Sequence, residues 1–215
     1  MFDNGVLFVD TIEILSETIS LINQLYLNYN QIYFSGHPKI YKMNKTSCTD
    51  ALNEEVLFTI PKYLDLLNQY KLNEINTSCK NLLPYLRYRI KRYKTATEKL
   101  RAKSFLERTG EGAYNIGKVI NDLMGFRLIL PDVNMNKDKV KLILEYYRDK
   151  GIIWRYYYRE DNGYKAFHCY FKENNKTFPW ELQIWDIQDE EQNKKLHSAH
   201  EKQRDNILEE GGNKS

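Results

Sequence analysis

The sequence predicts an α/β (α+β) domain: a mixed, mostly antiparallel sheet of about five strands flanked by helices, with a helical lobe at its N-terminus. Three observations predict it. Up to about residue 80, apolar residues recur at steps of three and four, the period of a helix face. At Pro84 the period changes to two, and strand patterns follow at 126–130, 152–159, 164–171 and 181–185. One helix-period stretch, Lys137–Lys150, interrupts these strands. The predicted organisation is a lobe at 1–80, the main domain at 81–208 and a flexible tail at 209–215.

In the lobe, Ile12, Leu15, Ile19, Ile22 and Tyr26 form one stripe of an amphipathic helix. A loop follows around Ser35–Thr49, punctuated by Gly36 and Pro38. Ala51–Phe58 is expected to be helical, and Pro61 is expected to open another short helix, where its missing N–H costs nothing. No chemistry is visible in this lobe.

At Pro84–Arg92, Tyr85, Arg87, Arg89 and Lys91 alternate with Leu86, Tyr88 and Ile90, so a strand there sets three cations on one face. Thr95 followed by Glu98 is a capping-box pattern and predicts a helix from about Thr95 to Glu107. A basic strand feeding a helix N-terminus suits an anion, and equally suits a solvated edge strand guarded by charge. Gly112–Lys118 imitates a phosphate-binding GxxxxGK loop. It lacks the hydroxyl after the lysine, where Val119 stands, and no apolar strand leads into it. Arg108–Ile116 is therefore expected to be a flexible loop.

Phe126, Leu128 and Leu130 alternate with Arg127 and Ile129 in a strand whose apolar character makes Arg127 costly unless an anion meets it. Asp122, just before it, stands where a metal-binding carboxylate or a simple turn residue would. Gly151 stops the helix at Lys137–Lys150. In the next strand Tyr164, Ala166, His168 and Tyr170 share a face opposite Lys165, Phe167, Cys169 and Phe171. Across the polar turn at 173–178, Glu181, Gln183 and Trp185 share a face opposite Leu182 and Ile184. One side of this hairpin is apolar; the other gathers an aromatic ring, an imidazole, a carboxylate and an amide. Gln188–Ile207 follows as a polar helix, on which His197 and His200 lack a third partner for a metal.

Composition sets the frame for these motifs. At 42% hydrophobic and 28% charged, 215 residues can bury a real core. Thirty-two basic and 29 acidic residues give a net charge of +3, so a polyanion site has to come from local clustering. Cys48, Cys79 and Cys169 form no CxxC pair, which favours a reducing compartment over a disulfide framework or zinc. The first fifteen residues do not form a signal peptide, and no apolar run has the length of a membrane span. A cytoplasmic protein is expected.

Four blocks then stand in order: Arg89, Lys91, Thr95 and Lys99; Asp122, Gly125 and Arg127; Asn162, Gly163, Tyr164 and His168; and Glu181 with Gln183. Together they resemble the synthetase domain of the RelA/SpoT family, the alarmone synthetases, over roughly Tyr85–Lys202. The resemblance implies a nucleotidyltransferase-like fold and transfer of the β,γ-pyrophosphate of ATP to a ribose 3′-hydroxyl, with Mg²⁺. It implies that Arg89, Lys91, Thr95, Lys99, Arg127 and His168 hold ATP and its phosphates. It implies that Asp122 and Glu181 bind Mg²⁺, with Glu181 also activating the hydroxyl, and that Tyr164 and Gln183 meet the acceptor. No hydrolase block precedes the domain, so synthesis alone is implied.

The sequence departs from the family pattern on the acceptor side. Ala166 replaces a serine, Glu160 a lysine expected near acceptor phosphates, and Trp185–Asp186 an Arg-Thr pair. These changes point to the toxic small alarmone synthetases and to the 3′-end of tRNA, which carries no 5′-polyphosphate, with Lys194, Lys195, Lys202 and Arg204 as candidates for the acceptor stem. A toxin implies an antitoxin partner. GDP or GTP as acceptor is the alternative, and a catalytically idle nucleotide- or RNA-binding regulator is the second.

Overall fold

The stripe Leu15, Ile19, Ile22 and Tyr26 is the buried face of α1 (Thr11–Gly36), and it extends through Tyr29 and Tyr33. These residues come from a computed structural model of the chain, which describes residues 11–36, 42–53, 56–110 and 112–196. Five strands, β1 (Leu86–Ile90), β2 (Met124–Leu130), β3 (Arg155–Asp161), β4 (Tyr164–Phe171) and β5 (Trp180–Asp186), form one sheet in the order β1-β2-β5-β4-β3. Only β2–β5 is parallel. The sheet is thus mixed and mostly antiparallel, as the sequence predicts.

The apolar side of the sheet carries Phe126, Leu128, Phe167, Cys169, Leu182 and Ile184, in one core with α1 and α3 (Val56–Tyr70). Trp180 anchors it: its ring meets Tyr26 edge-on at 5.3 Å, and its indole N–H donates to the Tyr63 hydroxyl at 2.9 Å. Tyr63 in turn meets Tyr29 and Phe178 edge-on. Such pairs add about 0.5–1.5 kcal/mol each beyond area burial. Burial raises the Tyr63 hydroxyl well above its ordinary pKa, so it stays a neutral acceptor for Trp180. Cys48, Cys79 and Cys169 are all free and buried. No described helix is long and apolar enough to cross a membrane.

Three local expectations need correction. Pro61 lies inside α3 rather than at a helix start. The ring removes one backbone donor, yet Ile60, Tyr63, Leu64 and Leu67 all bury their side chains, and that packing carries the helix through. The predicted helix at Ala51–Phe58 is divided between α2 (Cys48–Asn53) and α3. A π-helical turn (Lys71–Ile75), α4 (Asn76–Ser78) and a 3₁₀ turn (Lys80–Leu82) then lead into β1. The helix expected from Thr95 is α5 (Tyr93–Arg108), two residues longer at its start and capped by no side chain at Arg92. Glu98 approaches Lys94 one turn back at 3.8 Å, so the capping box does not form.

The loop after α5 is held at several points. Glu107 accepts from the backbone N–H groups of Cys48 (3.1 Å), Thr49 (2.9 Å) and Tyr114 (2.6 Å), so it caps α2 and fastens the loop at once. Asn115 bridges to Ser47 and opens the short α6 (Ile116–Val119). A Cβ on Gly117 would lie 3.0 Å from the Met43 Cβ, so the second glycine of the GxxxxGK look-alike serves close packing. Beyond β2, α7 (Lys137–Asp149) ends at Gly151, whose φ of 72° supplies the left-handed stop.

β3 runs two residues further than the sequence pattern suggests because Asn162 (φ 50°) and Gly163 (φ 88°) make a two-residue hairpin turn into β4. Asn-Gly is the favoured pair for that turn. After β5 the chain makes a 3₁₀ turn (Ile187–Asp189) and a helix at 190–196. Asn193 brackets the Lys165 peptide, accepting from its N–H at 3.0 Å and donating to its carbonyl at 2.8 Å. The rest of the predicted final helix and the tail lie outside the described residues.

Burial pushes the Glu107 carboxyl up, but the Thr49 hydroxyl and the Tyr114, Thr49 and Cys48 amides hold it below its ordinary value. Its contribution is therefore present above the unfolded pKa of about 4.3 and is lost as pH falls through the lower folded value. Glu107→Ala is expected to cost about 2 kcal/mol in urea unfolding at pH 7. The gap to wild type should close in acid; an equal gap at pH 3 and pH 7 would rule out a charge-based latch.

Candidate active site

Register across the sheet assembles the second face in rows. Residues opposite one another on paired strands point the same way, so Arg89, Gly125, Glu181, Tyr170 and Arg155 form one row. Arg87, Arg127, Gln183, His168 and Tyr157 form the next. Gly125 leaves a gap between Arg89 and Glu181, with nothing within 4 Å of where its Cβ would stand. The gap belongs to a cleft of about 450 Å³ lined by Arg89, Asp122, Gly125, Arg127, Glu181 and Gln183, among others.

Asp122 is ion-paired to two lysines. One oxygen meets Lys91, and the other lies 3.4 Å from Lys99, which also reaches Asn121 at 3.3 Å. Burial pushes the Asp122 carboxyl up; Lys99, Lys91 and Arg89 overcome this and hold it far below the usual carboxylate range. Burial also lowers the Lys91 ammonium, with Asp122 opposing. Glu181 is held by Tyr170, His168 and Gln183 instead. Tyr170 donates to its Oε1 at 2.7 Å, His168 Nδ1 lies 3.0 Å from the same oxygen, and Gln183 donates to Oε2 at 3.0 Å. Burial raises its pKa, but the His168 contact and then the Tyr170 bond bring it below the ordinary value, so Glu181 is ionised at neutral pH. Tyr164 completes the chain, its hydroxyl 3.1 Å from His168 Nε2.

Arg127 rests its guanidinium 3.7 Å above the Trp185 ring, and its buried Nε has no hydrogen-bond partner. Burial and the neighbouring Arg89 both lower its pKa. A desolvated cation over an indole face is worth about 2 kcal/mol, so the charge is tolerated without a carboxylate. Trp185 packs with the small Ala166 in one buried cluster, with Tyr164 edge-on to the indole at 6.2 Å.

The fold brings most of the predicted site residues together. Arg89, Asp122, Arg127, Glu181 and Gln183 face one cleft. Lys91 and Lys99 join it through Asp122, and His168 and Tyr164 stand behind Glu181. Thr95, on the first turn of α5, is not among the lining residues. Lys194 lines the cleft, paired with Glu190 at 2.8 Å and Glu191 at 3.3 Å. His197, His200, Lys202 and Arg204 lie outside the described residues.

Sequence reasoning passed over Tyr170 as a Glu181 ligand, and the indole under Arg127. The alternation of β4 and β5 contained the first. The second needed the packing of Ala166 with Trp185. Glu160 is also placed differently from the expectation. It shares a face with Tyr158 and Lys165, opposite to Glu181, and lies 3.7 Å from Lys137 and 3.8 Å from Lys165. Near the β3–β4 turn the cation that β3 sets on the cleft side, as it does Arg155 at the strand's start, is Arg159, 5.2 Å from the Tyr164 ring. Asp186 is a cap: it accepts from the N–H groups of Gln188 and Asn134, both at 2.9 Å.

Two carboxylates on one cleft wall fit a divalent cation shared with substrate phosphates. Among the described residues no group of three or more His, Cys, Asp or Glu is placed to hold a metal alone, so phosphate oxygens would complete such a site.

The family model described as "Region found in RelA / SpoT proteins" matches residues 88–206. No curated protein matches the chain. Among solved structures, the chain is similar to the small alarmone synthetase 1 of Bacillus subtilis bound to its product pppGpp (15% identity, 74% of this chain and 87% of that one, TM-score 0.39). It is also similar to that synthetase 1 in a second structure (17%, 75% and 85%, TM-score 0.38). The small alarmone synthetase 2 of the same organism matches at 20%, 73% and 90%, with a TM-score of 0.35.

Trp185→Leu should lower stability by about 3 kcal/mol, combining lost burial with the lost ring under Arg127. A double-mutant cycle with Arg127→Met should give a coupling of about 1 kcal/mol or more. Additive effects would mean that the two side chains merely lie close.

Proposed function

The chain belongs to the RelA/SpoT family and is an ATP-dependent pyrophosphotransferase; from that premise we propose that its acceptor hydroxyl is the ribose 3′-hydroxyl at the end of tRNA. The observation that carries the transfer chemistry is the placement of Asp122 and Glu181 around one cleft with Arg89 and Arg127.

The chemistry follows from that placement. Arg89 and Arg127, with Lys91 and Lys99 behind Asp122, hold and neutralise the triphosphate, the main task in this class of reaction. Glu181, ionised and fixed by Tyr170, His168 and Gln183, accepts the proton of the attacking hydroxyl. The 3′-oxygen forms a bond to the β-phosphorus. The bond from that phosphorus to the α,β-bridging oxygen breaks, and AMP leaves with the electron pair. Mg²⁺, held by Asp122 and Glu181, would neutralise charge on the β- and γ-phosphates. Gln183 and Tyr164 stand on the acceptor side, Tyr164 acting through His168.

A 3′-terminal ribose needs no second polyphosphate pocket, and β3–β4 turns no lysine toward the cleft. Pyrophosphate on the tRNA end would block aminoacylation, a toxin's activity, and would call for an antitoxin partner. Arg159, on the cleft side of β3, favours the second reading, a GDP or GTP acceptor whose 5′-phosphates it would meet.

The test offers γ-labelled ATP and Mg²⁺ with tRNA and with GDP or GTP in separate reactions. Label should appear on tRNA and vanish when the terminal ribose is oxidised beforehand. Label on GDP or GTP alone selects the second reading, and label on neither overturns both acceptors. Glu181→Gln should reduce turnover by about 10²–10⁴-fold while ATP still binds.

A further inference from the structure

We propose that the two cleft-side residues at the start of β3, Arg155 and Tyr157, form the acceptor patch for a single-stranded RNA 3′-end: Tyr157 carries the terminal base and Arg155 its phosphate. This rests on the tRNA reading above and deepens it.

Exposure separates the candidate rings. Tyr164 is 4% exposed, enclosed by His168, by Trp185 and by Arg159, so its ring offers little face to an incoming base. Tyr157 is 41% exposed. Its ring lies parallel to His168 (5.0 Å between centroids, 8° between planes), which stiffens it and fills one face. Its hydroxyl lies 3.2 Å from that of Tyr170. Tyr170 spends its only proton on Glu181, so Tyr157 is the donor in that pair. A base on Tyr157 is thereby tied, through His168 and Tyr170, to the carboxylate that receives the proton.

Arg155 supplies the charge. It is level with Glu181 in the same row, across Tyr170, and its buried Nε has no hydrogen-bond partner. The guanidinium lies over Tyr170 at 4.5 Å and Trp154 at 4.8 Å. Trp154 is itself 40% exposed, with Lys172 at 4.6 Å on its ring. Rings and cations thus interleave along this edge strand, the chemistry that binds single-stranded nucleic acid through stacking and phosphate contacts. A mononucleotide would need one ring. The further ring at Trp154 suits the next base of a strand.

The experiment uses the full chain. Acceptor KM, ATP KM and kcat are measured with tRNA and with GDP or GTP, and tRNA affinity is measured separately by fluorescence anisotropy, which needs no turnover. Tyr157→Ala should raise the KM and the dissociation constant for tRNA about tenfold or more, with ATP KM within twofold. Tyr157→Phe and Tyr157→Trp, which keep a ring, should recover most of that loss. Arg155→Gln should weaken tRNA binding and flatten its salt dependence. Trp154→Ala should weaken tRNA binding and spare GDP or GTP. A Tyr157→Ala enzyme with unchanged tRNA affinity overturns the patch, as does a loss of kcat alone or an equal rise in ATP KM. The tRNA reading fails separately, when wild type labels only GDP or GTP; a tRNA affinity that then ignores Tyr157 overturns the patch too.

Discussion

The parallel pairing of β2 with β5 is the constraint on which the site depends. It sets Gly125 opposite Glu181 and Arg127 opposite Gln183. Parallel neighbours need a long crossover, and here α7, β3 and β4 lie between the two strands in the chain. The antiparallel partners on either side extend each row, carrying Arg89 and Arg87 from β1, and Tyr170 and His168 from β4. Gly125 has a particular part. As the one position in the Arg89–Glu181 row without a side chain, it leaves open the space between a cation and a carboxylate that a substrate phosphate can enter.

The same face must carry several cations without its ligand, and it uses three different devices. Asp122 takes Lys91 and Lys99 together, a charge-assisted arrangement in which removing the carboxylate would strand a buried lysine. Arg127 relies on the Trp185 π-face. Arg87 folds back to donate to the Leu83 carbonyl at 2.5 Å. Glu181 is the complement: an acid held by hydrogen bonds from Tyr170 and Gln183 and by the His168 ring rather than by lysines.

Much of this was legible in the sequence because strand faces follow from alternation. The hairpin faces, the basic β1, the stop at Gly151 and the gathering of Asp122, Arg127, Glu181 and His168 needed only the two-residue period and the four blocks. What was not legible depends on register and on long-range packing. The end of β3 is fixed by the Asn162–Gly163 turn, and a shift of one residue flips every side chain to the other face. Glu160 was placed toward the acceptor for lack of that parity. Pro61 survives inside α3 because a buried stripe outweighs one lost hydrogen bond. Thr95 and Glu98 match a cap pattern, but the helix already begins at Tyr93, which puts Thr95 inside its first turn, and Glu98 pairs with Lys94.

Ala166 and Trp185 illustrate the limit of comparing motifs one position at a time. Taken singly, one is a missing hydroxyl and the other a missing cation. In the fold they share one buried cluster, where a small residue stands beside a large one. With the indole in place, Arg127 gains a support that leaves its donors to an anion. An arginine at that position would instead have set a second guanidinium beside Arg127, a like-charge pair tolerable only with anions between them. The substitution therefore moves the site toward one that holds its cations in order before substrate arrives. It concerns the phosphate side of the cleft as much as the acceptor side. The side chains that distinguish an acceptor are then to be sought on β3, the edge strand whose cleft face is open.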